Sequence, residues 1–527
     1  MDFPRIREDI TAPGSRANGA VGLAIGTFNR IFSRKILYAV ILVLGLISSS
    51  GNLRKPEGLL SDADIWWHIA DARMLFATHH FIYVEPYSFT VAGERWVNPE
   101  WLSEIPFWLG YRTVGLAGIY LVTALGLCAN ILFVYWRCYW KTQYVVPAFW
   151  ASVLAVPLMT VNAGPRTILF AYLAMSAEMA ILEAAERGKT SLLFLLPPLF
   201  CVWINLHGSW AAGLGMLALY ILCGVFTFDQ GVFQQQAFSS KDRNRLLLVL
   251  IASTAALFIN PYGWRLIWNP FDMLLNQKLV IALVEEWQPL SLGSALGRVA
   301  FGAIVLMIVV NCIRSRKWKL YELAFILLSW FFAFNHQRFT FLAVVVITPL
   351  LAGDLARSFF SKPESQTIPA MNALFVVGTV CAFIYFFPAN IALQRYLEAE
   401  YPLRSIASIQ PSWRTFNEDK LGGMMDLNSK STYLDTRLDT FEHHGEFADY
   451  LQTQYSREPF DLLDKYHIDH ILIPAKWPFS YLLEHSSGWR VEMREGTGIN
   501  AYVLFAKDPS AVGEKIQCGA ISTVDRH

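Results

Sequence analysis

The stretch SDADIWWHIADAR, residues 61–73, holds the densest group of side chains capable of chemistry. Asp62 and Asp64 precede Trp66, Trp67 and His68. A carboxylate can take a proton from a hydroxyl or bind a metal. Aromatic rings beside it can hold a sugar or a lipid-linked group. The same residues also describe an interfacial tryptophan belt with solvated aspartates, so the motif alone leaves both readings open. A second stretch, VEPYSFTVAGERWVNPEWLSE at 84–104, is broken into turns by Pro86, Gly93 and Pro99. Its Glu94 and Arg95 read as surface loop, whereas Asn98 and Glu100 adjoin an amphipathic helix and are site candidates.

The elements that must position these groups are apolar. Of 527 residues, 54% are hydrophobic and 16% charged, against about 25% charged in a typical soluble protein. With 37 Phe, 21 Tyr and 18 Trp, the apolar side chains exceed what a soluble core of this size can hold. A soluble enzyme and a disordered chain are thereby excluded. The balance of 43 basic to 42 acidic residues creates no field for a polyanion, so no nucleic-acid partner is expected. Seven cysteines fall mostly in apolar runs, with Cys518 alone in a polar context, and form neither a disulfide framework nor a zinc motif. About 35 polar and basic residues precede the first apolar run, which does not read as a cleavable signal peptide.

About eleven spans are expected, at 36–50, 116–136, 145–162, 167–183, 190–205, 210–228, 246–260, 297–313, 320–335, 339–353 and 370–388. Segments 100–113 and 264–277 read as interfacial helices. Basic residues cluster in alternate loops: the N-terminal arm, Arg137 with Lys141, Arg187 with Lys189, Lys241 to Arg245, Arg314 to Lys319, and Arg357 with Lys362. By the positive-inside rule these face the cytoplasm. The chain then divides into a cytoplasmic arm (1–35), a transmembrane part (36–388) with a large first outer loop (51–115), and an extracytoplasmic α/β domain (389–527). That last part has short β-like runs at 431–437, 470–476 and 501–507, and it lacks a glycine-rich nucleotide loop, so no nucleotide cofactor is expected. There is no internal repeat.

With this topology the polar residues at helix ends share one face. They are Arg166 after Gly164-Pro165, Asn205 and His207 in WINLHGSW, Asn260 and Tyr262 in NPYGW, Glu285 and Glu286 in EEWQPL, and His336 and Arg338 in NHQRF. Any one of them can be a cap or a structural hydrogen bond. Together, ionisable groups at membrane depth mark a functional cavity. Acids there can activate a hydroxyl, and arginines match a phosphate through their planar fork. This combination fits a transferase with a lipid-phosphate donor.

The motifs DADIWWHIADAR, EPYSFTVAGERWVNPEWL, GPRTILF, WINLHGSW, NPYGW, EEWQPL, YLDTRLDTF and DLLDKYHIDHILIP, in this order, resemble those of a group of bacterial multi-pass membrane proteins related to the GT-C glycosyltransferases. That superfamily includes the protein O-mannosyltransferases. The resemblance implies a polytopic α-helical fold and a polyprenyl-phosphate-linked sugar donor. It also implies an acceptor that is a glycan, lipid or protein, and transfer with inversion at the outer face of the bacterial cytoplasmic membrane. It implies an acid in the first outer loop as base, carried onto Asp64 or Asp62, and in some members a divalent metal. At Glu85 the group's pattern leads one to expect Asp. No WWD-type motif of oligosaccharyltransferases is present, which argues against transfer of a whole oligosaccharide.

The expected site therefore has Asp64, Asp62, His68 and Glu100 as catalytic groups. Trp66, Trp67, Asn98, Arg166, Asn205, His207, Asn260, Tyr262, Glu286 and Arg338 are expected to bind substrate. Two other classes compete with a glycosyltransferase. A transporter or flippase for a polar lipid predicts ionisable groups at mid-span on both sides of the bilayer centre. A non-catalytic envelope assembly protein predicts that the outer acids are replaceable.

Overall fold

The computed structural model describes residues 33–49, 58, 60, 62–159, 164–359, 369–385, 387–457 and 459–508. The arm before residue 33, Lys362 and Cys518 lie outside them. The first half of the fold runs α1 (Arg34–Ser49), α2 (Asp64–Thr78), α3 (Trp101–Val114), α4 (Leu116–Thr142), α5 (Val145–Met159), α6 (Ile168–Glu186), α7 (Leu196–Leu206) and α8 (Trp210–Cys223). A small antiparallel hairpin, β1 (Phe228–Gln230) with β2 (Phe233–Gln235), precedes α9 (Ser240–Ala256), α10 (Trp264–Asn276) and α11 (Lys278–Leu283). The bundle closes with α12 (Ala295–Ile313), α13 (Leu320–Asn335), α14 (Thr340–Phe359) and α15 (Pro369–Tyr385).

Local sequence sets these boundaries. Gly164-Pro165 separates α5 from α6, because a residue before proline is pushed out of helical geometry. Pro197 and Pro198 open α7, where a missing N–H costs nothing. Ser239 and Ser294 cap α9 and α12 by accepting the backbone N–H of Asp242 and Gly297. Helix α14 is apolar all round and buried from Thr340 to Asp354, so it is the axis against which α4, α5 and α13 pack.

Among the described residues, four helices are long and apolar enough to cross a membrane by length and composition: Leu116–Thr142, Ile168–Glu186, Ala295–Ile313 and Gln337–Phe359. A fifth results if Ala370–Tyr385 and Asn390–Glu400 count as one bent span. The apolar helices at Val145–Met159, Thr190–Leu206, Trp210–Cys223 and Leu320–Asn335 are shorter. At 1.5 Å per residue, 15 residues reach only about 23 Å of a core about 30 Å thick. Helix α10 fits its interfacial reading, with Trp264, Trp268, Phe271, Leu274 and Leu275 exposed. Helix α3 instead buries Ser103, Glu104 and Phe107 against its neighbours.

Beyond the bundle come α16 (Asn390–Glu400), α17 (Leu403–Ser408), β3 (Thr415–Asn417), α18 (Asp419–Leu427), α19 (Leu438–Glu442), α20 (Glu446–Gln454), α21 (Pro459–Lys465), β4 (His470–Pro474), α22 (Pro478–Glu484), β5 (Trp489–Glu495) and β6 (Tyr502–Lys507). The strands form one sheet in the order β3-β4-β6-β5, parallel between β3 and β4 and otherwise antiparallel. The runs at 470–476 and 501–507 supply β4 and β6. The run at 431–437 is not a strand: Thr432 makes one isolated bridge to Ser88, and the rest is irregular. It is a connection stitched to the first loop, with Ser88 Oγ and Thr90 Oγ1 both donating to the Tyr433 carbonyl at 2.8 and 2.7 Å.

Candidate active site

Helix α2 begins at Asp64, with its carboxylate in the positively polarised first turn. Asp64 is half-buried and lines a cavity of about 630 Å³. Arg166, Glu285, Glu286 and Arg338 line it from the bundle, and Asp419, Thr436 and Asp439 from the C-terminal region. Met273, Val280, Val284 and Leu296 add an apolar side. Arg166 stands before α6 and Arg338 just before α14, so two of the longest helices aim cations at the cavity.

The charges form a chain. Arg166 Nε donates to Asp62 Oδ2 at 2.8 Å, and its Nη1 donates to Glu286 Oε2. Arg338 Nη1 reaches Glu286 Oε1 at 3.1 Å while its guanidinium stacks 4.2 Å over the Trp287 ring. Burial alone would raise Glu286, but Arg338 and Arg166 outweigh it and hold its carboxyl below the usual range. Burial raises Asp64 to about 6, with Asp62 adding to the effect and Arg166, Thr436 and His68 opposing it. Asp64 is thus a base that loses its proton near neutrality.

A second, drier cluster lies behind. His68 is 3% exposed, with Nδ1 3.0 Å from Glu104 Oε1 and Nε2 3.6 Å from Glu100 Oε2. His207 Nε2 lies 3.4 Å from Glu100 Oε1, and its Nδ1 accepts the Ser209 N–H. Asn98 donates to Asp71 Oδ2 and Glu104 Oε1 at 3.2 and 2.8 Å. Burial raises Glu100 to about 6 and Glu104 to about 8, and lowers His68. Burial, then Arg338, pushes His207 down to about 3. At pH 7 both histidines are therefore neutral, and Glu104 is largely protonated. The contact between His68 and Glu104 is a hydrogen bond between neutral groups rather than an ion pair.

Of the expected site residues, Asp64, Arg166, Glu286 and Arg338 share the cavity, and Asp62 joins them through Arg166. Glu100, His68, His207 and Asn98 form the cluster behind. Four other expected substrate contacts make packing and hydrogen-bond contacts within the fold. Trp66 is fully buried and donates from Nε1 to the Tyr401 hydroxyl at 3.0 Å. Asn205 accepts from Trp101 Nε1 and donates to the Ile259 carbonyl. Asn260 closes its own turn, bonding Leu257 O, Gly263 O and the Tyr262 N–H. Tyr262 packs on Phe81 and Tyr83. Trp67 lies 3.7 Å, centre to centre, from the His68 ring and backs the second cluster.

Thr436, Asp419 and Asp439 were not among the expected residues. Their approach to Asp64 is purely tertiary. Nor was the role of Glu85 expected: both its oxygens engage the buried Arg437, at 2.9 Å each. For a divalent metal the donor set does not fit. Among the described residues no three His, Cys, Asp or Glu side chains converge as a metal ion requires. Asp62 and Glu286 are already engaged by arginine.

No protein-family model matches the chain, and no curated protein matches it in sequence. Solved structures do match. The apo oligosaccharyltransferase of Archaeoglobus fulgidus has a TM-score of 0.55 at 11% identity over 84% of this chain and 70% of its own. Oligosaccharyltransferase AglB of the same organism, in complex with an inhibitory peptide and a dolichol-phosphate, gives 0.51 at 11% over 92% and 75%. ArnT from Cupriavidus metallidurans, bound to undecaprenyl phosphate, gives 0.50 at 13% over 91% and 99%. The chain therefore shares the overall fold of these oligosaccharyltransferases and of ArnT. At such identity the likeness is one of fold, and chemistry has to be argued from the site.

Proposed function

We propose that this chain is an inverting glycosyltransferase that moves a sugar from a polyprenyl-phosphate-linked donor to an acceptor hydroxyl. The observation that carries the reading is the single cavity in which the Asp64 carboxylate faces Arg166 and Arg338. Asp64 takes the acceptor proton. The acceptor oxygen bonds to the anomeric carbon from the face opposite the phosphate, and the C–O bond to phosphate breaks with its electron pair leaving on the phosphate. Arg166 and Arg338 stabilise that charge. In accepting the phosphate they loosen from Glu286, which serves as their placeholder in the free protein.

The alternation of basic and bare loops supports a reaction at the outer face of a bacterial cytoplasmic membrane. The arm 1–35 is then cytoplasmic and the region 389–527 extracytoplasmic. The neighbours named for dolichol-phosphate and undecaprenyl phosphate support a lipid-phosphate donor, and AglB's inhibitory peptide supports a separate acceptor. The test is release or transfer of labelled sugar from undecaprenyl-phosphate-linked hexoses by the purified chain in proteoliposomes. Turnover is expected for at least one hexose. Equal turnover in wild type and an Asp62→Asn/Asp64→Asn double variant would remove the carboxylates from the mechanism.

A further inference from the structure

We propose that residues 435–437 form a strap that orients the Asp64 carboxylate for reaction, with Thr436 as the positioning residue and Arg437 as its anchor. This rests on the reading of Asp64 as the base. Thr436 lines the same cavity as Asp64 and borders its carboxylate. Its hydroxyl oxygen is buried and has no regular hydrogen bond among the described residues, yet it lies close enough to Asp64 to favour the anion. A buried hydroxyl with unmet capacity is costly unless a partner uses it. Rotated to donate, Thr436 occupies one Asp64 oxygen and leaves the other for the acceptor hydroxyl. The acceptor proton then passes to that free oxygen as the acceptor–sugar bond forms, and Thr436 keeps its own proton throughout.

The anchor is tight. Arg437 is 4% exposed. Its Nε lies 3.0 and 3.1 Å from the two Asp435 oxygens, and Nη1 and Nη2 each lie 2.9 Å from a Glu85 oxygen. Trp96 and Tyr87 flank its guanidinium at 4.6 and 5.3 Å. Removing one partner from such a buried set strands the others, so the strap has one resting place. From the other side α18 presses between strap and α2 through two glycines. A Cβ on Gly422 would stand 2.4 Å from Asp435 Cα, and one on Gly423 would stand 3.0 Å from Ala63 O and Trp67 N. Thr436 and the first turn of α2 are thus held in a fixed register. The other charged groups facing Asp64 are Asp62 and Arg166, His68 one turn along α2, and Glu285, Glu286, Arg338, Asp419 and Asp439 around the cavity. Replacing the Thr436 hydroxyl leaves all of these in place.

The test uses the full chain in lipid nanodiscs. A water-soluble carbodiimide with an amine modifies protonated carboxyls, and peptide mass spectrometry follows Asp64 across a pH series. The wild-type midpoint is expected at about 6. Thr436→Val keeps the shape without the hydroxyl and is expected to raise the midpoint by about half a unit to one unit. Thr436→Ser is expected to restore it. An unchanged midpoint in Thr436→Val overturns the strap. With undecaprenyl-phosphate-linked hexose as donor, Thr436→Val is expected to lower kcat about tenfold with donor KM unchanged. A raised KM at unchanged kcat also overturns it, since Thr436 would then bind donor. Wild-type turnover in Asp64→Asn would instead defeat the base reading, while the labelling shift stands or falls separately.

Discussion

Helices α6 and α14 each carry ions at both ends. Ahead of their first turns stand Arg166 and Arg338, both on Glu286 and both on the cavity of about 630 Å³. Toward their far ends, about 28 Å away along α6, stand Glu183 and Asp354. Arg137, 1% exposed, binds Glu183 at 2.7 Å and the Val345 carbonyl at 2.7 Å. Arg316 reaches Asp354 at 3.0 Å and pairs with Glu322, and Arg357 also pairs with Asp354. The space beside this second cluster is about 40 Å³, room for one or two waters. Charge density is similar at the two ends. What differs is that one network borders a volume fit for a sugar phosphate and the other is closed on itself. Ionic residues alone do not locate a site in such a bundle; unfilled volume beside them does.

The largest effect expected from this contrast is at Asp64. Asp64→Asn should lower sugar transfer from undecaprenyl-phosphate-linked hexose by about 10²–10⁴-fold, because an amide keeps the shape but takes no proton. The matching change at the closed end, Glu183→Gln, should leave kcat near wild type and lower the melting temperature in detergent, because it leaves a buried arginine partly unpaired. A large activity loss in Glu183→Gln with normal stability would erase the distinction between the ends.

Next comes the phosphate side. Arg338→Lys should cost about 10–100-fold in kcat/KM, the worth of one charge-assisted hydrogen bond that an ammonium cannot make in two-pronged form. Lys141→Gln, at the closed end, should leave kcat/KM unchanged in the same assay.

The pH dependence is smaller. Transfer should rise through about pH 6 as Asp64 loses its proton. Stability should run the other way. Burial raises the folded-state pKa values of Glu100 and Glu104 to about 6 and about 8, above the ordinary glutamate range. The folded state thus holds more protons than the unfolded one, and stability falls as pH rises between those values. Glu104→Gln should therefore raise the melting temperature more at pH 8 than at pH 5. A gain that is equal at both would show that Glu104 titrates normally.

What the sequence made legible follows from range. Asp64, Arg166, Glu286 and Arg338 could be grouped because each follows or precedes an apolar run in a loop expected on one face, which is a local signal repeated four times. The helical bundle was legible from the same runs. The helix lengths were not, because α5, α7, α8 and α13 are apolar but short, and hydropathy does not show where a proline or glycine breaks a helix. Thr436 and Asp439 were not legible either, since more than 370 positions separate Thr436 from Asp64. At Asn205 and Asn260 the sequence leaves two roles open for a physical reason. A buried amide at a helix end makes the same sequence signal whether it faces a ligand or closes a turn, and only the partner atoms decide.

Asn260 supplies the smallest expected effect and the sharpest check on that last distinction. Its side chain donates to Leu257 O at 2.7 Å and Gly263 O at 3.1 Å and accepts the Tyr262 N–H at 2.8 Å. All three bonds stay within residues 257–263, where Gly263 at φ +61° completes the turn before α10. Asn260→Ala removes them together and leaves the Tyr262 N–H without this acceptor. The expected cost is about 1–3 kcal/mol of stability, the range for a partly buried hydrogen-bonded group. It should be read as a lower melting temperature, with donor KM and kcat within about twofold of wild type. Asn260→Asp keeps the acceptor for Tyr262 N–H but sets a carboxylate against two carbonyls, so it should be at least as damaging as alanine. If instead both variants raised donor KM at unchanged melting temperature, Asn260 would be a substrate contact after all. The turn at 257–263 would then belong to the cavity side of the comparison rather than to the scaffold.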